Sequence, residues 1–242
     1  VPYDLNSLSP MKRAWIMHNS NIPERFFGWG KEDIQRDLGV FPKEVEHWLT
    51  QALSGKIIKC QGGLGTTGVG LGFDGPPGRG KTTHAVTTIM EFIRNLPEDE
   101  EEIAKILGYK LEDLSRKCRP IYYLTFPDLF NRKKAIFDAR DEERQRLIDE
   151  MEGLHGRAKD DRLNVRILVL DDLGKEYGST FNDAAFDEIL RSRYDKAIPN
   201  IVTTNVLIEN WGKQYKDAMG SFAYEAFRQV TLDNRTDLRR SN

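Results

Sequence analysis

The chain has 242 residues, 39% of them hydrophobic and 31% charged, enough for one substantial core with room for a small appendage. A formal net charge of −2 excludes a global basic field, so any nucleic-acid contact must be a local patch. Cys60 and Cys118 are far apart and show no metal-ligand spacing, which excludes a disulfide framework or zinc site and favours a reducing cytoplasm.

Position 1 is Val rather than Met, as in a numbering that begins inside a longer natural chain. The N-terminus lacks a signal-peptide core, and no apolar run reaches the length of a membrane span. Ser9-Pro10 starts a helix carrying Met11, Ala14, Trp15 and His18 on roughly one face. The aromatic-rich stretch Ile22 to Trp29 is broken by Pro23, and Val45, Trp48, Leu49 and Leu53 recur at helical spacing up to Gly55. Residues 1–55 are thus expected to be a helical segment ahead of a second region over 56–242.

Gly62 to Gly72 carries six glycines in eleven residues, and its second half, Val69 to Asp74, reads as a first strand. Further strands are expected at Ile121–Thr125, Val165–Leu170, Asn200–Thr203 and Gln229–Leu232. Helices are expected at Lys81–Arg94, Asp128 to about Glu152, and Asn182–Lys196, with Glu98 to Glu102 as a solvated loop or helix start. Strands alternating with helices imply a five-stranded parallel α/β sheet with right-handed crossovers.

Gly75-Pro76-Pro77-Gly78-Arg79-Gly80-Lys81-Thr82, followed by Thr83, fits the P-loop pattern G-x-x-x-x-G-K-[ST]. Its glycines let backbone N–H groups turn inward around phosphates, and Lys81 adds a charge read as solvent-facing. The Thr82 hydroxyl can ligate Mg²⁺, and the following helix points its positive end at the same place. The ligand implied is ATP with Mg²⁺. A buried-type strand, Ile167 to Leu170, ends in Asp171 and Asp172. This Walker B pattern assigns Asp171 to the Mg²⁺ shell with Thr82, and Asp172 to polarising the attacking water. The strand Asn200–Thr203 leads to Asn205, a candidate to contact the γ-phosphate or its water; capping of the next helix explains Asn205 equally well.

The P-loop, Tyr122 to Leu129, Leu170-Asp171-Asp172-Leu173-Gly174 and Ile201 to Asn205 together resemble DnaC/DnaI-type AAA+ ATPases, with the IstB transposition helpers as close relatives. Ile22-Pro23-Glu24-Arg25-Phe26 is similar to a short Ile-Pro-x-Arg-Phe segment of that group. The resemblance implies an AAA+ fold without a C-terminal helical lid, and an oligomerising ATPase that loads a hexameric replicative helicase. It also implies that Gly220 to Val230 is a helix whose Arg228 serves a neighbouring subunit's nucleotide in a homo-oligomer. Asn234 to Arg239 resembles a terminal motif, which makes Arg239 the sensor 2 residue.

Single-stranded DNA is expected along Asn131 to Arg146, where Arg132, Lys133, Lys134, Arg140, Arg144 and Arg146 are interleaved with Phe130 and Phe137. Asp138, Asp141, Glu142 and Glu143 interrupt the run, and a solvated helix laced with ion pairs accounts for the same residues. Three other functions compete with helicase loading: a transposition helper of the IstB/MuB sort, a small-molecule P-loop kinase, and a nucleotide-dependent binding module with negligible hydrolysis. The kinase would have no use for the Thr-Thr-Asn strand end.

Overall fold

Alternation along the first strand sets the architecture: Leu71 and Phe73 are buried in one apolar cluster, while Gly70 and Gly72 face the opposite side of the sheet. A Cβ on Gly72 would lie 2.1 Å from Ile208 Cδ1, so the glycine permits close packing there. The structure, a computed structural model, describes residues 3–58, 66–174, 180–215 and 217–232, with backbone alone for 180–184. In chain order the elements are α1 (Pro10–Ala14, continued by a π-helical turn Trp15–Asn19), α2 (Lys31–Leu38), α3 (Lys43–Leu53), β1 (Gly70–Asp74), α4 (Lys81–Arg94) and α5 (Glu100–Leu107). They continue with β2 (Ile121–Thr125), α6 (Phe126–Asp138), α7 (Asp141–Leu154), β3 (Ile167–Leu173) and α8 (Thr180–Tyr194). Last come β4 (Asn200–Thr204), α9 (Trp211–Tyr215), α10 (Asp217–Ala226) and β5 (Phe227–Thr231).

The strands form one parallel five-stranded sheet in the order β2-β3-β4-β1-β5. This is a P-loop NTPase fold of AAA+ type. One face carries Trp15, Ile34, Trp48, Ile89, Phe92 and Leu107, so residues ahead of β1 share a core with α4 and α5. The other face carries Phe130, Leu154, Ile189, Trp211 and Phe222 from α6 to α10. Burying both faces accounts for the near-continuous apolar strands.

Two contacts fix strands that carry the site. On α8, Arg193 is fully buried and donates to the carbonyls of Leu154, Val165, Arg166 and Pro199 and to Asn200 Oδ1, binding the approach to β3 to the start of β4. Burial pulls its pKa down to about 9, which leaves it charged at neutral pH. At the sheet edge, Tyr123 N–H donates to Ser20 O at 2.7 Å and Tyr123 O accepts from Asn21 Nδ2 at 2.9 Å.

The expected helix Asp128–Glu152 is two helices. Ala139 and Arg140 are extended, and Asp141 opens α7 at φ 44°. The break folds α7 back on α6, where Arg132 pairs with Glu150. Gly220 to Val230 is also not one helix: α10 stops at Ala226, because Phe227 and Val230 bury on opposite faces of the sheet, which only a strand allows.

Candidate nucleotide-binding site

All the pieces lie at the carboxyl ends of the parallel strands, where α/β sheets of this kind bind ligands. Asp74, fully buried at the end of β1, accepts from Ile208 N–H at 2.8 Å and Gln229 Nε2 at 2.7 Å, which ties the loop's origin to its neighbours. Gly75 follows at φ 131°, and a Cβ there would meet Leu232 O at 2.7 Å. Gly78 and Gly80 both take φ 77°, a left-handed conformation that costs glycine little. No side chain caps α4 at Gly80, so its first N–H groups remain available to an anion.

Lys81 is not solvent-facing. It is 8% exposed, and Nζ donates to Gly75 O at 2.7 Å, Pro76 O at 2.8 Å and Asn205 Oδ1 at 2.8 Å. The loop curls over the ammonium, because carbonyls buried there need a donor. The third of these bonds brings Asn205, just beyond β4, to this loop.

Asp171 accepts three hydroxyl donors. Thr82 Oγ1 at 2.8 Å and Thr203 Oγ1 at 2.6 Å share Oδ1, and Tyr123 OH at 2.7 Å takes Oδ2. Burial first, then the Asp171 carboxylate, pushes the Tyr123 phenol above its usual range. Asp172 takes a different direction because β3 bulges. Pairing with β4 jumps from Leu170↔Val202 to Leu173↔Thr204, an extra residue on β3. Asp172 turns to φ 65° and gives its N–H to Thr203 Oγ1 at 2.9 Å. Aspartate is among the few residues that tolerate this conformation.

These groups surround a cleft of about 540 Å³ lined by Pro77, Gly78, Arg79, Gly80, Lys81, Thr82, Thr83, Asp171, Asp172, Thr203 and Asn205. Arg25 and Phe26 complete the lining. Arg25 and Thr203 had no assigned role in the sequence. The Ile-Pro-Glu-Arg-Phe pattern was the available signal for the first, and the position just before the Thr204-Asn205 strand end for the second. Among the described residues no group of three or more His, Cys, Asp or Glu could hold a metal unaided. Thr82 and Asp171 supply hydroxyl and carboxylate oxygens, a donor set suited to a hard cation whose remaining ligands are phosphate and water.

Arg228 does not line the cleft. It lies on β5 in register with Leu71, and Nη2 donates to Gln51 Oε1 at 3.2 Å. Arg239 lies outside the described residues, as do Cys60 and the Asn234 to Arg239 motif. Along the basic stretch, Phe130 is 1% exposed in the core and cannot stack on a base. Arg132 is paired with Glu150 and Lys133 with Glu188, whereas Lys134, Arg140, Arg144 and Arg146 are exposed and Phe137 is 72% exposed. No described helix is long and apolar enough to cross a membrane.

No protein-family profile matches the chain. No curated protein matches it either. Among solved structures, the chain is similar to one described as the DnaC helicase loader, at 20% identity and a TM-score of 0.51, covering 87% of this chain and 99% of that one. It is also similar to DnaI, at 15% identity and a TM-score of 0.54, covering 88% and 95%. At these identities the likeness is one of fold. The fold is of the AAA+ type, similar in architecture to those two structures.

Proposed function

We propose that this chain is an oligomerising AAA+ ATPase that hydrolyses ATP to ADP and phosphate and loads a hexameric replicative helicase during DNA replication in the cytoplasm. The observation that carries the ATPase reading is the 2.8 Å contact between Thr82 and Asp171, which joins the P-loop to the Walker B strand in one cleft. Gly75 to Thr83 cradle the phosphates, and Lys81 and the open end of α4 neutralise them. Thr82 and Asp171 would hold Mg²⁺, which would supply charge neutralisation at the phosphates. Asp172 orients the water, Asn205 contacts it or the γ-phosphate, and Arg228 and Arg239 act on the nucleotide from a neighbouring subunit and from the chain terminus.

The helicase part of the reading is supported by the architectural likeness to a structure described as a helicase loader. Residues 1–55 are the surface assigned to the partner, with 56–242 as the ATPase region. Single-stranded DNA is assigned to the exposed face holding Lys134, Arg140, Arg144, Arg146 and Phe137.

A pull-down from the native host, with ATP present and Lys81→Ala as control, tests this reading. The parent should retain a hexameric helicase in an ATP-dependent manner and the variant should not. Recovery of a transposase instead would establish the transposition-helper reading. Phosphate release without any acceptor molecule excludes a small-molecule kinase.

A further inference from the structure

The cleft contains a cation that the proposed ATPase chemistry does not use. Arg25 lies in a short 3-10 turn, Glu24–Phe26, ahead of the sheet in sequence. That turn is held from both sides. Asn21, at φ 55°, bonds the edge of β2, Ile22 N–H donates to Ser20 Oγ at 3.2 Å, and Phe26 is buried in the core shared with α4.

The Arg25 guanidinium lies 4.8 Å from the centroid of the Phe26 ring. Stacking on a buried ring limits the positions its charged end can take. Among the described residues it makes no ion pair, whereas Arg36 pairs with Asp33 and Asp37, and Arg94 with Glu32 and Glu91. Arg25 lines the same cleft as Lys81, Thr82, Asp171 and Asp172. It is near enough to Tyr123, whose hydroxyl bonds Asp171, to oppose part of the burial effect on that phenol. Arg25 also borders a depression with Tyr123, Thr125 and Asp128, at the end of β2 beside the strand that carries Asp171.

Charge supplies the reason for a cation here. Asp171 and Asp172 would repel the terminal phosphate of a nucleoside triphosphate, and the Lys81 ammonium is already shared among Gly75 O, Pro76 O and Asn205 Oδ1. A guanidinium presents paired N–H donors suited to phosphate oxygens.

We propose that Arg25 binds the terminal phosphate of the nucleoside triphosphate in cis, so that the Glu24–Phe26 turn distinguishes triphosphate from diphosphate. The proposal rests on the ATP reading of the cleft and adds to it a residue from the N-terminal segment. It also links nucleotide state to the part of the chain assigned to a partner.

The test is equilibrium titration of a non-hydrolysable ATP analogue and of ADP, both with Mg²⁺, against the parent, Arg25→Ala and Arg25→Lys. Arg25 is exposed, so neither variant should disturb folding, which circular dichroism checks. Arg25→Ala should lose about ten- to a hundredfold in affinity for the triphosphate analogue, the range of a hydrogen bond to a charged group, and stay within about twofold for ADP. Arg25→Lys should recover part of the loss. An equal fall for both nucleotides, or no change for either, overturns the proposal and leaves the ATP reading standing. A parent that binds neither nucleotide overturns both.

Discussion

The phenol of Tyr123 donates to Oδ2 of Asp171 across 2.7 Å, joining the edge strand to a carboxylate 48 residues later. Thr82 and Thr203 both use Oδ1, so Tyr123 is the donor that orients the other oxygen. Tyr123→Phe keeps the ring and removes the donor. It should lower Mg²⁺-dependent ATP affinity roughly three- to thirtyfold and cost about 1–2 kcal/mol of stability. Titration with and without Mg²⁺ separates the two effects, since an arrangement unrelated to the metal would weaken both titrations equally.

The bulge that separates Asp171 from Asp172 predicts different consequences for two conservative changes. Asp171→Asn should weaken Mg²⁺-dependent ATP binding, because an amide is a poorer partner for a hard cation's hydrated shell. Asp172→Asn should keep ATP bound and slow turnover about 10²- to 10⁴-fold, the usual loss on removing a positioned base. Steady-state hydrolysis, ATP affinity and sedimentation in ATP measure the pair. Parental turnover in Asp172→Asn would place the base elsewhere, with Glu176, outside the described residues, next to be tested.

Arg228 bonds Gln51 within its own subunit, so its assignment to a neighbour's nucleotide needs a test of its own. Arg228→Ala should bind ATP and lose hydrolysis. Mixed with Lys81→Ala it should regain activity, because one subunit supplies the arginine and the other an intact phosphate loop. Arginine fingers contribute about 10³-fold or more, so rescue is measurable. Subunits that co-assemble without rescue would make Arg228 a strut between β5 and α3.

Acid should act through His155. It is 2% exposed, with Nδ1 2.9 Å from Ser192 Oγ. Burial first, then Arg157, brings its pKa down from 6.5 to about 4, with Lys133 and Arg193 adding to the effect and Glu188 opposing it. Folding therefore favours the neutral ring. Between these values the unfolded chain binds the proton that the folded chain refuses, so the contribution is complete above pH 6.5 and lost as pH falls towards 4. Denaturant unfolding from pH 7 to pH 4 should show the parent losing roughly 1–3 kcal/mol more than His155→Gln. Parallel curves would mean that the imidazole is charged in the fold.

What was legible in the sequence followed from local punctuation. The P-loop glycines, Lys81 to Arg94 and Ile121 to Thr125 stand where periodicity and turn chemistry put them. The break between α6 and α7 contains neither Pro nor Gly, so no local signal marks it; the pairing of Arg132 with Glu150 does. The Asp172 turn follows from the register between two strands some thirty residues apart, which no single window contains. Burial of Lys81 depends on where the loop carbonyls curl, and the place of Arg25 depends on how Asn21 docks on β2.

The contacts of Ser20 and Asn21 with Tyr123 have one more effect. Tyr123 is the middle residue of the outer strand, and its outward N–H and C=O are both taken by the chain's own first segment. An uncovered parallel edge is a template for strands of other molecules. This one is plugged at its centre, so copies cannot join by extending the sheet through β2. Trimming the first twenty-odd residues to isolate the catalytic region would unplug it and remove Trp15 and Ile16 from the core shared with α4 in the same cut. The shortened protein would then be prone to aggregation, and its loss of activity would say nothing about the role of the residues removed.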